Sequence, residues 1–460
     1  MHIADTRKIT IVGAGMAGTL LAILFARRGC SVELFEQHSD PRLEEPLGHQ
    51  SVDLALGERA RHALAMSGLL DQVDALCTPV HGRMVHYRSG EVLTQPYGNS
   101  DADALYSIRR DRLRQCLLDA AENSGKVRLF FNHRLQDVDW ENQRINFSTA
   151  DEDDPAEKTF EVLFGADGPV SSLRRAIQKM TGEEADETLL DSGYKTFSIP
   201  ADEHGTFRMN PDVLHVWPRG GYMLIAFPDI EGSFSALLFL PRQGDHKMMW
   251  GFEQLDSWVR QRAFMRANFP DAVELIPELE REFRDNPVGL MGTVRCRQWH
   301  LGGQALLIGD AAHAMVPFHG QGVNSAFEDC TTLMDICDSG LSDWETVFTE
   351  LQQQRKHNTD ALADMSLDAY QTMRESVRHR DFMLRKALER ELERRHPERF
   401  VARYSLVMFH RMPYAEAYER GKTQSIILDE LLDGHEQLTD VSLEQADRLI
   451  DERLDRITSP

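Results

Sequence analysis

The chain is short of positive charge. Its 460 residues carry 51 Lys and Arg against 74 Asp and Glu, a formal net charge of −23. Neutralising a phosphate backbone takes clustered Lys and Arg, so nucleic acid is excluded as the main partner. Cysteine is scarce as well. Cys30, Cys77, Cys116, Cys296, Cys330 and Cys337 form no C-x-x-C pair and no zinc-ligand spacing. In a chain this long they read as reduced, packed thiols, and no metal site is expected. Long apolar runs are missing too. None approaches the ~20 residues that span a bilayer, and the polar start "MHIADTRK" has no secretory signal pattern. No transmembrane segment is expected, and the expected compartment is the cytoplasm. There is no internal repeat and no low-complexity linker, and the oligomeric state is not legible.

What is present is ordinary for a folded protein, with 42% hydrophobic residues. "RKITIVGAGMAGTLLAILFARRGCSVELFEQ" reads as strand, glycine turn, helix and strand, a βαβ unit in which Ile9, Ile11 and Val12 are a buried parallel-type strand. Residues 105–122 read as an amphipathic helix with Leu113, Leu117 and Leu118 on one side. "VLFGADGPVSSLRRAI" is a second strand, glycine turn and helix, preceded by the acidic stretch "ADEDDPAEK", a solvated turn. Residues 214–240 break into three β-rich runs at "PRGG" and "PDIEG", which predicts a meander. Beyond residue 340 the pattern is helical. The expected fold class is α/β. A doubly wound FAD-binding (Rossmann-like) domain is assembled from 1–70, 100–180 and 288–340, a β-rich substrate domain from 71–99 and 185–287, and a C-terminal helical region covers 341–460.

Gly13-x-Gly15-x-x-Gly18 follows a strand directly and opens a helix. The first glycine serves the tight turn, the second admits a pyrophosphate, and the third lets helix and strand pack. Glu36 ends the second strand, where a carboxylate accepts from ribose hydroxyls. Strand, turn, helix, strand and acid in order predict a dinucleotide, NAD or FAD. A simple dehydrogenase has no use for further glycine turns, and there are two, "GADG" at 165–168 and "GDAAHAMVPFHGQG" at 309–322. In the FAD reading Asp310 accepts from a ribityl hydroxyl, and Gly320 to Gly322 bring bare backbone to the isoalloxazine. The amides of Gly322, Val323 and Asn324 then face the edge where reduction places negative charge. The competing reading of Asp310 is a helix N-cap. His313 and His319 lack the companions of a metal site, so His313 reads as packed and His319 as lining a pocket.

An N-terminal GxGxxG, a mid-chain DG turn and a late GD-A-A-H-x-x-x-P-x-x-G-Q-G together resemble the single-component FAD-dependent aromatic hydroxylases. "HGRMVH", "QPYG", "SIRRDRL", "GYK", "LHVWPRGGYMLIAFP", "VPFHGQGVNSAFEDC" and "RYSLVMFHRMPY" extend the resemblance over nearly the whole chain, toward the branch that takes an aromatic amino acid. It implies FAD as cofactor, NADPH as transient co-substrate, dioxygen, and hydroxylation through a flavin C4a-hydroperoxide. By the same resemblance Arg83 pairs with the substrate carboxylate, and Tyr97 and Tyr404 hold that end through their hydroxyls. Phe318 and His319, with Gly322, then stand where the ring meets the flavin, Arg110 touches FAD from the helix it opens, and Leu135 lies on the adenine side. Taken alone, each aromatic reads as core packing and Arg83 as a surface ion pair.

Four positions depart from the family. Ala369 stands at the substrate-binding position where an asparagine is expected, Gln50 replaces an arginine, Asp53 an asparagine and Thr196 a glutamate. They put the substrate in question more than the reaction. The runner-up reading is therefore a hydroxylase for a modified or different amino-aromatic acid, and a third is an FAD-binding sensor that does not hydroxylate.

Overall fold

The computed structural model describes residues 6–43, 52–98, 103–149, 157–244, 250–375 and 380–457. Gln50 lies outside them, as does most of the acidic stretch before Glu157. Two compact units emerge. The first combines Met1–Cys77, Ile108–Leu190 and Leu290–Ala363, and the second Thr78–Ser107, Asp191–Gly289 and Asp364–Pro460.

The first unit is built on the βαβ element. Strand Lys8–Val12, helix Met16–Arg27 and strand Ser31–Phe35 form as their apolar spacing requires. The strand Lys8–Val12 pairs in parallel on both sides, with Ser31–Phe35 and with Val162–Gly165. Ala305–Leu307 extends the sheet beyond Val162–Gly165, and Val127–Phe130 beyond Ser31–Phe35. Ile9, Ile11, Val32 and Leu34 are fully buried, as strands covered on both faces must be. An antiparallel three-stranded sheet of Glu157–Thr159, Arg144–Thr149 and His133–Asp139 belongs to the same unit.

One expected element is corrected. The stretch 105–122 is not a single helix, because Leu105–Arg109 is a strand and the helix starts at Arg110. Leu105, Ser107 and Ile108 are buried while Tyr106 and Arg109 are half-exposed, and Arg109 has extended backbone. β-branched and aromatic side chains in a short half-buried run favour the pleated form.

In the second unit the meander forms as predicted, with Val213–Pro218, Met223–Pro228 and Phe234–Pro241 antiparallel in sequence order. Strand Asp186–Ile199 flanks one side, and Gly82–His86 the other, itself paired with Val92–Pro96. Trp217, Phe234, Phe264, Phe269 and Phe283 fill the core between this sheet and the helices of residues 258–285. A second core, around Leu388, Leu392, Phe400 and Ile427, holds the C-terminal helices together.

Buried in this unit is Glu282, whose carboxylate accepts from the Ser198 amide at 3.1 Å. Burial lifts its carboxyl to about 7, and that amide offsets only part of the shift. A carboxyl with a folded-state value above its ordinary 4.5 holds a proton that the unfolded chain has released. Stability is therefore expected to fall as pH rises from 4.5 to 7. Thermal unfolding should show Glu282→Gln gaining on the order of 2–3 kcal/mol over the parent at pH 8 and little at pH 4.5. Equal gains at both pH values would refute the assignment.

Candidate active site

The glycine turn after the first strand is held from three sides. Gly13 has φ +101°, and its N–H donates to Phe35 O at 2.7 Å. A Cβ there would stand 2.3 Å from Ala166 O, so the "GADG" turn is the floor beneath Gly13. Gly18 packs as closely against Gly13 O. At Gly15 the reverse holds, with open space where a Cβ would point. The helix that follows has no side-chain cap and no acidic residue in its first turn. Its unpaired amides and positive dipole end are suited to a phosphate.

Glu36 is buried and accepts from Ala14 N at 3.0 Å and His38 N at 3.1 Å. A carboxylate has about four acceptor sites, so capacity remains for a ribose. Arg114 closes this corner, with its Nη2 3.6 Å from Glu36 and its Nε donating to Ala14 O at 3.4 Å. Arg110, the arginine singled out in the sequence, is exposed at the start of the same helix. Arg114 is one turn further on, and only tertiary placement distinguishes it. Leu135 is buried in the strand His133–Asp139, whose His133 N donates to Glu36 O at 2.8 Å.

The "GADG" turn caps its own helix. Asp167 accepts from Ser172 N and Leu173 N, and Ser171 Oγ accepts from Arg174 N. That terminus is already neutralised, unlike the two others.

The late glycine segment begins at the short helix Asp310–His313. Its N-cap is Gly309 and no side chain caps it, so Asp310 does not serve as the simple cap and is half-exposed. After a turn at Pro317–His319 and left-handed Gly320, the helix Gly322–Asp338 starts. Its first helical bond is Ser325 N to Gln321 O, which leaves the amides of Gly322, Val323 and Asn324 outside the helical ladder. No side chain caps it, no acid stands in its first turn, and the Cβ position of Gly322 is open. The Asn324 side chain fixes the entry, accepting from Gly57 N at 2.8 Å and donating to Ala55 O and Gly320 O at 2.9 Å. His319 is buried and Phe318 half-buried. Two uncapped helix starts with open glycine cradles and a carboxylate at the end of the second strand fit a dinucleotide whose pyrophosphate and ring both need backbone donors.

His313 is packed, with Nε2 2.6 Å from Asp329 Oδ2. No cluster of metal-ligating side chains occurs among the described residues, and all six cysteines are free.

In the second unit Arg83, Tyr97 and Tyr404 come together. Arg83 lies directly across the hairpin from Gln95, and its Nε donates to Gln95 Oε1 at 2.6 Å. Tyr97 and Tyr404 are hydrogen-bonded with ring centroids 5.3 Å apart, and Phe409 packs on both. Burial pushes both phenols upward, and the Arg83 charge pulls them back in part. Gln95 and Phe409 stand inside quoted motifs, yet neither is singled out by sequence alone. Ala369 is half-buried on the helix Trp344–Glu375 and has no polar group to offer, while the neighbouring Tyr370 hydroxyl meets Ser192 Oγ at 2.6 Å. Asp53 and Thr196 are both buried, on the strands Asp53–Leu56 and Asp186–Ile199.

A doubly wound sheet with two uncapped glycine turns defines a dinucleotide-binding fold, and the family described as FAD binding domain matches residues 6–342, which makes the protein a flavoprotein. The chain belongs to that family and, within it, to the kynurenine 3-monooxygenases. It is 43% identical over 453 residues to the kynurenine 3-monooxygenase of Myxococcus xanthus, spanning 98% of this chain and 97% of the relative. Against that of Stenotrophomonas maltophilia the identity is 42%, over 95% and 94% of the two chains. Among solved structures, the tetrameric form of 2-methyl-3-hydroxypyridine-5-carboxylic acid oxygenase shares the fold, with a TM-score of 0.66 at 21% identity over 81% of this chain and 94% of that one. No described helix is long and apolar enough to cross a membrane.

Proposed function

We propose that this chain converts L-kynurenine to 3-hydroxykynurenine, consuming one NADPH, one proton and one dioxygen and releasing NADP+ and water. The observation that carries it is the meeting of Arg83, Tyr97 and Tyr404 in one cluster, in a chain 43% identical to a kynurenine 3-monooxygenase along its length. When bound, FAD supplies the hydride acceptor and the activation of oxygen.

The residues supply position. The Arg83 guanidinium, oriented through Nε by Gln95, presents its terminal nitrogens to the amino-acid carboxylate in a planar fork. Tyr97 and Tyr404 are neutral at working pH, and burial raises both further; because one hydroxyl donates to the other, the pair keeps one proton to donate to the substrate. Phe318 and His319 line the ring side. With FAD bound, the amides of Gly322, Val323 and Asn324 would face the ring edge that becomes negative on reduction, and Asp310 and Glu36 would accept from ribityl and ribose hydroxyls. Arg110 and Leu135 bound the nucleotide end.

One observation favours a second reading. Ala369 offers no hydrogen bond where the family places an amide, so a related amino-aromatic acid lacking the matching group is the alternative substrate. The experiment is stopped-flow reduction of the FAD-loaded protein by NADPH with and without L-kynurenine, with the product weighed. Faster reduction and gain of one oxygen support kynurenine. The same gain only with a substituted kynurenine or an anthranilate selects the alternative, and NADPH oxidation uncoupled from any product identifies a non-hydroxylating flavoprotein.

A further inference from the structure

Beneath the late glycine turn lies a buried charged group that the proposed reaction does not use. Asp329, on the helix Gly322–Asp338, is fully buried. Its Oδ2 accepts from Gly309 N at 3.0 Å and from His313 Nε2 at 2.6 Å. Its Oδ1 accepts from Arg355 Nε at 2.8 Å. Arg355 in turn reaches Glu328 and the Ser325 hydroxyl, the latter at 3.1 Å.

One carboxylate oxygen thus holds both ends of the four-residue helix Asp310–His313, its N-cap amide and its last side chain. The N-cap needs such a hold. Gly309 has φ +61° and ψ −138°, a region closed to other residues. It is wedged between Ala326 and Ala17, with a built Cβ 3.0 Å from Ala326 Cβ. Four residues of helix make almost no internal ladder, so the direction of Asp310 is set from outside the helix. An ionised, fully buried carboxylate is costly unless every oxygen is satisfied, and here Arg355, His313 and Gly309 satisfy both.

We infer that Asp329 is a positioning residue for FAD, acting with His313 and Arg355 to hold the Gly309–Asp310 turn in the orientation that presents Asp310 to the ribityl chain. This rests on the reading of Asp310 as the ribityl acceptor. His313 belongs to the clamp, neither a metal ligand nor a proton-transfer group.

The test is FAD release from full-length holoprotein on dilution, followed by flavin fluorescence, with the thermal midpoint at saturating FAD recorded beside it. Asp310→Ala serves as reference. Asp329→Asn keeps shape but cannot serve Gly309, His313 and Arg355 together, and is expected to weaken FAD about tenfold or more. His313→Leu should weaken it severalfold, and His313→Gln, whose amide can still donate to Asp329, should restore it. Should Asp329→Asn fail to fold, the His313 pair carries the test alone. Weakening in Asp310→Ala with none in Asp329→Asn or His313→Leu overturns the positioning role. So does a fallen thermal midpoint with unchanged FAD affinity, the mark of a residue that only supports the fold. Unchanged affinity in Asp310→Ala overturns the ribityl reading itself, and the inference with it.

Discussion

Arg83→Met is expected to raise the KM for L-kynurenine about a hundredfold while the affinity for FAD stays where it was. A charge-assisted fork to a carboxylate contributes roughly 1.5–3 kcal/mol, and each 1.4 kcal/mol is about tenfold in affinity. Arg83→Lys should fall between, because an ammonium keeps the charge but loses the planar pair and the Nε bond to Gln95. Reduction of bound flavin by NADPH at saturating kynurenine should approach the parent rate in both variants, since neither removes a flavin contact. Steady-state kinetics with a parallel FAD titration reads both quantities. A lowered kcat at unchanged KM would mean that Arg83 does not hold the substrate.

The second large effect separates two neighbouring glycines. Gly13→Ala should destabilise the first unit severely. The residue sits at φ +101°, and a methyl would stand 2.3 Å from Ala166 O and 2.7 Å from Asp167 N, both backbone atoms. A left-handed non-glycine costs about 1–3 kcal/mol and overpacking about as much again, enough to consume much of a domain's net stability. Gly15→Ala should leave stability almost untouched, because its φ of −73° suits alanine and nothing lies within 4 Å of the new methyl. That open space is where the pyrophosphate is to approach, so the methyl should cost FAD binding instead. Thermal unfolding without added FAD, set against FAD titration, resolves the pair. A Gly15→Ala protein that binds FAD like the parent would move the pyrophosphate elsewhere.

Some of this site could be read from sequence because its logic is local. The signature of the glycine turn lies within Lys8–Val12, Met16–Arg27 and Glu36, a 30-residue pattern, although its floor at Ala166 does not. The late helix start was legible for the same reason, since Gly320, Gly322 and Asn324 are neighbours along the chain. Tyr404 came from resemblance alone, because no periodicity joins residue 404 to residue 97. Gln95 was hidden although hairpin geometry contained it, since the register that sets it against Arg83 depends on how the turn at residues 87–91 closes. Arg114 and Asp329 were out of reach. Each acts on a partner brought near by sheet order and helix packing, and each lies in a segment where an arginine or aspartate reads as an ordinary surface charge. The strand Leu105–Arg109 was misread because it runs into a helix with no glycine or proline to mark the join.

The floor under Gly13 also has a consequence in time. Ala166 lies some 150 residues after the turn it supports, and the strand Ala305–Leu307 and the helix at Gly322 come as far again beyond it. At the pace of a ribosome, about 5–20 residues per second, the first βαβ element waits on the order of ten to thirty seconds for its neighbouring strand. It waits about as long again for the remainder of the flavin cradle. During that interval Ile9, Ile11, Leu20 and Leu24, buried in the finished fold, have no complete core to enter, so the nascent chain exposes an apolar edge. Free flavin cannot rescue it early, because the cradle it would enter has not yet been synthesised.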